Sequence, residues 1–501
     1  MNKQEFLASL QSRGLRAWQA NFAASFLEAD SAAFQLLAGP PGTGKMYASI
    51  AIAAELVSRG AERIIALAPA PLCEAWRERL TDAQSKIPVV LVTRPVFREI
   101  ESALPIGRSP WSADGIYVIS QDLAKRNDLA AGIATVEWDL VIGDEAHRFA
   151  AQQRAALLDR LTAANAVRRL LLLSDTPVPS LDPWLHSSPD QPVRFSSSLV
   201  VTSWFGALTN WDGSTVDRPE VKWEAYLYKR GTDEVKCLSQ FLDSFKELQT
   251  CGGGAEFFLQ LLTQRASSSL FAFEQSLQRL GHTLRSAIAE AEASLAEPTA
   301  ELSDQQAWAS ADFDAMAGYK RLPWVDKAAV LAIVNQCLEA FESISTDEKL
   351  SAFKRLVRSI IDADPDSIPM ICVFSMYADT ASYLHTAIDD LGISLFKVTG
   401  AISFTERQDT VERFVKEGGV ILGTDGALSE GIVIPQITHV VHYDLPSNPI
   451  VLEQRRGRFD RFGRSNPLTM YVLRDESKAI PSESRLNELF AANLDSGTDG
   501  V

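Results

Sequence analysis

The sequence predicts an α/β protein of two parallel-sheet lobes with a mainly helical insertion between them, and three observations carry that reading. Short apolar runs alternate with amphipathic stretches through the first third of the 501 residues, and the same alternation returns in the last third. The first apolar run also opens into a glycine loop followed by an Ala-rich helical stretch. Strand-then-helix alternation builds a parallel sheet with helices on both faces. With 46% hydrophobic side chains, the chain is long enough for two or three domains, each with its own core.

In the first lobe, residues 1–180, strands are expected at Phe34–Ala38, Arg63–Ala68, Val89–Val92, Ile116–Ser120, Asp139–Ile142 and Arg169–Ser174. In the second lobe, residues 346–501, they are expected at Pro369–Ser375, Ser394–Thr399, Gly419–Gly423, Ile437–Tyr443 and Leu468–Leu473. Helical runs such as Tyr377–Leu391 and Thr405–Lys416 separate them. Between the lobes, residues 181–345 loosen into Ser/Pro-rich turns, one strand-like run at Trp223–Tyr228, and long helical stretches near Phe257–Glu292. Ala293–Ala317 offers little apolar surface to offset ordering entropy and reads as a loop.

Composition narrows the classes. A formal charge of −16 and a pI near 5.0 argue against wholesale electrostatic capture of nucleic acid, so any nucleic-acid path must be a local groove. Cys73, Cys237, Cys251, Cys337 and Cys372 lie far apart with no C-x-x-C pair, which suggests neither a zinc site nor a disulfide framework. No signal-like start and no apolar run of membrane-spanning length is visible, so a cytoplasmic protein with no membrane partner is expected. His186, His282, His385, His439 and His442 lack metal-ligand spacing.

Two short segments carry chemistry. Gly39-Pro40-Pro41-Gly42-Thr43-Gly44-Lys45 fits G-x-x-x-x-G-K, in the required setting of strand, loop and helix. Its glycines let backbone N–H groups surround a phosphate, the following helix aims its positive end there, and Lys45 would neutralise the β/γ oxygens. About a hundred residues on, Asp139–Arg148 reads D-L-V-I-G-D-E-A-H-R, which sets Asp144 and Glu145 at a strand's carboxyl end, where open α/β sheets gather their ligands. Asp144 is the candidate magnesium carboxylate and Glu145 the base that polarises an attacking water. The residue after the lysine is Met46, whose thioether cannot replace a hydroxyl ligand to a hard cation, so metal binding would lean on Asp144 and water.

With these residues in place, the chain resembles the superfamily-two helicases and, within them, the Swi/Snf-type double-stranded DNA translocases. The resemblance covers both lobes through an ordered series of motifs and implies RecA-like folds that bind ATP and Mg2+. Leu15-Arg16-Ala17-Trp18-Gln19 resembles the upstream motif whose glutamine, here Gln19, reads adenine. Ala68-Pro69-Ala70-Pro71-Leu72 followed by Trp76 is similar to a nucleic-acid-facing motif, as is Ile119-Ser120-Gln121-Asp122. Ser174-Asp175-Thr176-Pro177 sits where the family has Ser/Thr-Ala-Thr-Pro, so Asp175 departs from the pattern. In the second lobe, Val373-Phe374-Ser375 and Val398-Thr399-Gly400 resemble backbone-gripping loops, and the stretch from Thr424 through Glu430-Gly431-Ile432 the motif that follows. Tyr443-Asp444-Leu445-Pro446 followed by Gln454-Arg455-Arg456-Gly457-Arg458 matches the Swi/Snf style of the last motif. By that resemblance Arg458 and Arg461 are the arginine fingers, and Gln454 lies near the γ-phosphate. Pro69, Ser120, Ser375, Thr399, Gly400 and Thr424 are then the nucleic-acid contacts. The Arg265-Ala266-Ser267-Ser268-Ser269 run suggests the compact bacterial RNA-polymerase-recycling group.

The leading expectation is an ATP-dependent translocase on double-stranded DNA, working with protein partners in a larger bacterial assembly for genome maintenance or phage defence. Two others stay open. One is a strand-separating helicase on DNA or RNA. The other is a nucleotide-gated scaffold, supported by Met46. Trp204, Trp211 and Trp223 are expected to pack in a core rather than to stack on bases.

Overall fold

The computed structural model describes residues 3–28, 34–39, 42–105, 108–150, 152–164, 166–174, 210–214, 219–248, 255–293, 326–400, 402–428, 434–446, 449–460 and 464–495. Packing divides the chain into two units, Met1–Arg218 with Arg456–Gly463, and Pro219–Arg455 with Arg464–Val501.

The first unit is built on six strands, β1 (Phe34–Ala38), β2 (Arg63–Ala68), β3 (Val89–Val92), β4 (Gly115–Ser120), β5 (Leu140–Gly143) and β6 (Leu170–Ser174), in the order β1-β6-β5-β2-β4-β3. All its pairings are parallel. Side chains alternate between sheet faces with period two, and each face has its own core. Leu37, Ile64, Ala66, Val118, Ile142 and Leu173 meet the helices Ala17–Glu28, Lys45–Ser58 and Cys73–Ala83. Leu36, Ile65, Leu67, Ile119, Val141 and Leu172 meet the helices Asn127–Ile133 and Gln152–Ala163. Burial on both faces explains why these strands read as continuous apolar runs.

The second unit repeats the plan with β7 (Val221–Tyr228), β8 (Met370–Ser375), β9 (Leu395–Val398), β10 (Gly419–Thr424), β11 (His439–His442) and β12 (Leu468–Asp475). Its order is β7-β12-β11-β8-β10-β9, again entirely parallel. The strand-like run of the middle segment is the edge strand of this sheet, paired with β12 along its whole length. Four helices of the middle segment, Thr232–Leu248, Ala255–Ser268, Leu270–Ala293 and Lys327–Phe341, share a core through Leu238, Phe241, Leu262, Phe273, Leu277 and Val334. The run Ala293–Ala317 lies, but for Ala293, outside the described residues. No helix among the described residues is long and apolar enough to cross a membrane.

Candidate nucleotide-binding site

Parallel pairing with only β6 between β1 and β5 brings the loops that follow these two strands to one edge of the first sheet. The glycine loop leaves β1 with the Gly39 N–H donating to the Ser174 carbonyl at the end of β6, 3.0 Å away. Gly42 and Gly44 both take positive φ, 80° and 89°, the left-handed region that favours glycine. Gly44 is the N-cap of the helix Lys45–Ser58. Lys45 Nζ donates back to the Gly39 carbonyl at 2.7 Å, so the ammonium already bends over the loop. Pro40 and Pro41 lie outside the described residues.

Gln19 is buried against this loop. Its amide donates to the carbonyls of Gly44 (3.0 Å) and Thr43 (3.3 Å), while its Oε1 accepts from the Arg16 N–H at 2.8 Å. Here Gln19 braces the backbone that would hold a phosphate. Beside it lies a cavity of about 480 Å³ lined by Leu15, Tyr47, Ile50 and Arg79. The Tyr47 ring is half exposed, and the Arg79 guanidinium lies 5.4 Å from its centroid. Arg79 also donates to Met46 Sδ at 3.1 Å, which holds the thioether against a neighbouring helix.

Directly after β5, Asp144 is fixed from three directions. Its N–H donates to the Leu67 carbonyl at 2.9 Å, its carbonyl accepts from the Gln121 amide, and its carboxylate accepts from Trp76 Nε1 (2.9 Å) and the Glu145 N–H (3.0 Å). Burial, with the Asp144 charge next in weight, pushes the Cys73 thiol up to about 12, so this cysteine stays protonated. Glu145 takes φ 49°, an uncommon conformation for a residue with a Cβ, and its Oε2 lies 3.4 Å from His147 Nδ1.

The second-unit part of the arginine-rich helix Pro449–Phe459 buries Leu452 and Arg455, one helical turn apart. Arg455 binds both oxygens of Asp425, donates to the Asp444 carbonyl at 3.0 Å and to His442 Nδ1 at 3.2 Å, and lies over the Phe374 ring. Asp444 accepts from Ser375 Oγ at 3.0 Å, from Ser268 Oγ, and from the Met376 N–H at 2.9 Å. Burial raises the Asp444 carboxyl above its ordinary value despite Arg455 and Lys349 nearby. The Arg265 guanidinium donates to Asp379 at 2.7 Å, and Ser269 Oγ lies 2.8 Å from Thr380 Oγ1, so the Arg-Ala-Ser-Ser-Ser run knits a middle helix to the helix Ala378–Ala387 that follows β8.

Of the expected site residues, the first unit brings together Gln19, Gly39, Gly42, Thr43, Gly44, Lys45 and Met46 on one loop and helix start. Asp144 and Glu145 lie at the same sheet edge. Pro69 opens the helix-leading turn after β2, and the Ser120 hydroxyl caps a helix by accepting from the Leu123 N–H. Ser375 turns its hydroxyl inward to Asp444. Thr424 ends β10, while Thr399 follows β9 and the adjoining Gly400 carbonyl accepts from Arg407. Arg458 lies on the helix that carries Arg455. Asp175, Glu430, Gly431 and Arg461 lie outside the described residues, as does the Gln454 side chain. Trp211, expected in a core, is instead exposed and donates to the Leu15 carbonyl in the first unit; Trp223 is partly buried and stacks on His442 in the second, and Trp204 is outside the described residues.

Sequence reasoning did not single out Arg455, Asp425 or Asp444 individually, nor the link from Trp76 to Asp144. The signal for Arg455 was its place one helical turn after the apolar Leu452, since a buried guanidinium needs acids around it.

Comparison with known proteins follows the same division. Residues 7–178 match the family "Type III restriction enzyme, res subunit", and residues 348–463 match "Helicase conserved C-terminal domain". The chain is 23% identical over 445 residues to the Bacillus subtilis protein named "Uncharacterized ATP-dependent helicase YqhH", covering 87% of this chain and 71% of that protein. It is 32% identical over 110 residues to "ATP-dependent RNA helicase DBP8" of Saccharomyces cerevisiae, a match to 22% of this chain and only 26% of that protein. In fold it is similar to the crystal structure of the Pyrococcus furiosus Hef helicase domain, with TM-score 0.52 and 17% identity over 97% of this chain and 99% of that one. With the two domain matches in order and a six-stranded parallel sheet in each unit, the chain belongs to helicase superfamily two.

Proposed function

We propose that this chain is an ATPase motor that moves on double-stranded DNA and remodels what is bound there, as one subunit of a larger bacterial assembly. The observation that carries the ATPase part is the preset loop: Lys45 folded over Gly39, Gly44 braced by Gln19, and an oriented Asp144 at the same sheet edge. The duplex preference rests on the Swi/Snf-like run from Tyr443 to Arg458 and remains the reading to be tested.

In this reading the adenine of ATP lies in the cavity beside Tyr47, and Lys45 with the loop N–H groups takes the phosphates. Asp144 would hold a magnesium ion that comes with the nucleotide, and that ion would supply positive charge beside the phosphates. One carboxylate plus phosphates is an ordinary protein contribution for this ion, so the donor set fits. Glu145 takes the proton of the attacking water, and Gln454, Arg458 and Arg461 stabilise the developing charge. Pro69, Ser120, Ser375, Thr399, Gly400 and Thr424 belong to segments proposed to follow a nucleic-acid backbone; as Ser375 is turned inward, its backbone and neighbours make the contact.

One observation favours a second reading. Met46 offers no hydroxyl and its sulfur is engaged by Arg79, which suits a nucleotide-gated switch with little turnover. Steady-state ATP hydrolysis with magnesium, with and without linear duplex DNA, single-stranded DNA and RNA, separates the readings. Duplex-stimulated turnover supports the translocase, and stimulation by single strands or RNA alone replaces it with a strand-separating helicase. Tight ATP binding without turnover, restored by Met46→Thr, establishes the switch.

A further inference from the structure

We infer that Trp76 is a positioning residue for the cation site: its indole N–H holds the Asp144 carboxylate in the orientation that a nucleotide-bound divalent cation needs. This deepens the ATPase reading above and rests on it. The segment bearing Trp76 resembles a nucleic-acid-facing motif, but the side chain points elsewhere. Trp76 is fully buried, and Nε1 donates to Asp144 Oδ2 at 2.9 Å. The other carboxylate oxygen accepts from the Glu145 N–H at 3.0 Å. One fixed donor on each oxygen removes the freedom of the carboxylate to rotate.

The need for such a brace is greater here than where a hydroxyl follows the lysine. With Met46 at that position, Asp144 is the hard protein oxygen on which the cation depends, and a second ligand cannot compensate for a misdirected carboxylate. The same helix, Cys73–Ala83, also carries Arg79 to Met46 Sδ. One rigid element therefore spans the start of the phosphate-loop helix and the acid after β5. Its first turn follows directly on the Pro69–Leu72 turn.

The test uses the full chain, manganese as an observable divalent cation, and a non-hydrolysable ATP analogue. Electron paramagnetic resonance gives the Mn2+ dissociation constant, and analogue binding in EDTA gives metal-free nucleotide affinity. Trp76→Phe keeps an aromatic ring and loses the donor; it is expected to weaken Mn2+ by roughly 10- to 100-fold, the usual effect of removing an outer partner of a metal ligand. Metal-free analogue binding should stay as it was. Leu80→Val, a change at another buried position of the same helix, should leave Mn2+ affinity intact. Unchanged Mn2+ affinity in Trp76→Phe, or an equal loss in Leu80→Val, overturns the positioning role and leaves the ATPase reading standing. A wild-type chain that binds the analogue with no Mn2+ overturns both. The wild type also gives a test that needs no variant: Mn2+ with the analogue should broaden a buried, slowly exchanging indole N–H resonance before the others, and no such broadening overturns the proposal.

Discussion

Arg455 and Asp425 form a two-pronged pair inside the second unit, with Nε on Oδ1 at 2.5 Å and Nη2 on Oδ2 at 2.8 Å. The arginine side chain is wholly buried, and its remaining nitrogen serves the Asp444 carbonyl and His442. This pair ties the short helix Asp425–Leu428 after β10 to the arginine-rich helix.

Removing the guanidinium leaves the buried Asp444 and the partly exposed Asp425 without their cation. Arg455→Ala should destabilise the fold by about 3–5 kcal/mol, the range for breaking a buried ion pair from one side. Urea denaturation of the full chain measures this; a loss below about 1 kcal/mol would mean that the pair is solvated in solution.

Glu145→Gln keeps the side-chain size and the backbone strain while removing the base. Turnover should fall roughly 100- to 10,000-fold with ATP affinity preserved. Single-turnover hydrolysis together with equilibrium binding separates the two effects, and an equal loss in both would move Glu145 from chemistry to binding.

Gly44→Ala places a residue with a Cβ at φ 89°, and that Cβ would lie 2.3 Å from Gln19 Nε2. The left-handed strain is about 1–2 kcal/mol, and the Gln19 amide must leave the loop. Nucleotide affinity should drop by about tenfold or more. Gln19→Ala added to Gly44→Ala should cost little further, because the first change has already broken the brace; full additivity would show that the two act separately.

His442 predicts the acid limb of stability. Burial first, and Arg455 second, hold its folded pKa well below 6.5, whereas the unfolded chain titrates near 6.5. Between those values the unfolded state binds the extra proton, so this contribution is intact above pH 6.5 and is lost as pH falls toward the folded pKa, by about 1.4 kcal/mol per pH unit. His439 and His385, also lowered chiefly by burial, act with the same sign. His442→Phe, between the Trp223 and Phe374 rings, should flatten the slope of unfolding free energy from pH 6.5 to 5.

The strands were legible because parallel sheets buried on both faces leave unbroken apolar runs, and all eleven strands expected in the two lobes appear within two residues of the expected ends. The glycine loop was legible because left-handed φ at Gly42 and Gly44 restricts what the sequence tolerates. What could not be read was direction. Ser120 and Ser375 stand at strand ends in the expected order, yet one hydroxyl caps a helix and the other feeds Asp444. Trp76 and Arg455 owe their roles to acids 68 and 30 residues away, contacts that only the folded sheet creates. The β7 run was visible as a strand, but its partner was not, because β12 comes at the far end of the sequence.

That long-range pairing has a consequence for how the protein is made. Val221 emerges from the ribosome well before Leu468, the residue it pairs with. At ~5–20 residues per second β7 waits roughly 10–50 s for its neighbour. Throughout that interval the newborn second unit carries an unmatched strand edge. In the first sheet the corresponding wait is shorter, from Phe34 of β1 to Leu170 of β6, so it is the second unit whose yield should depend more on translation speed and on chaperones that shield bare strands.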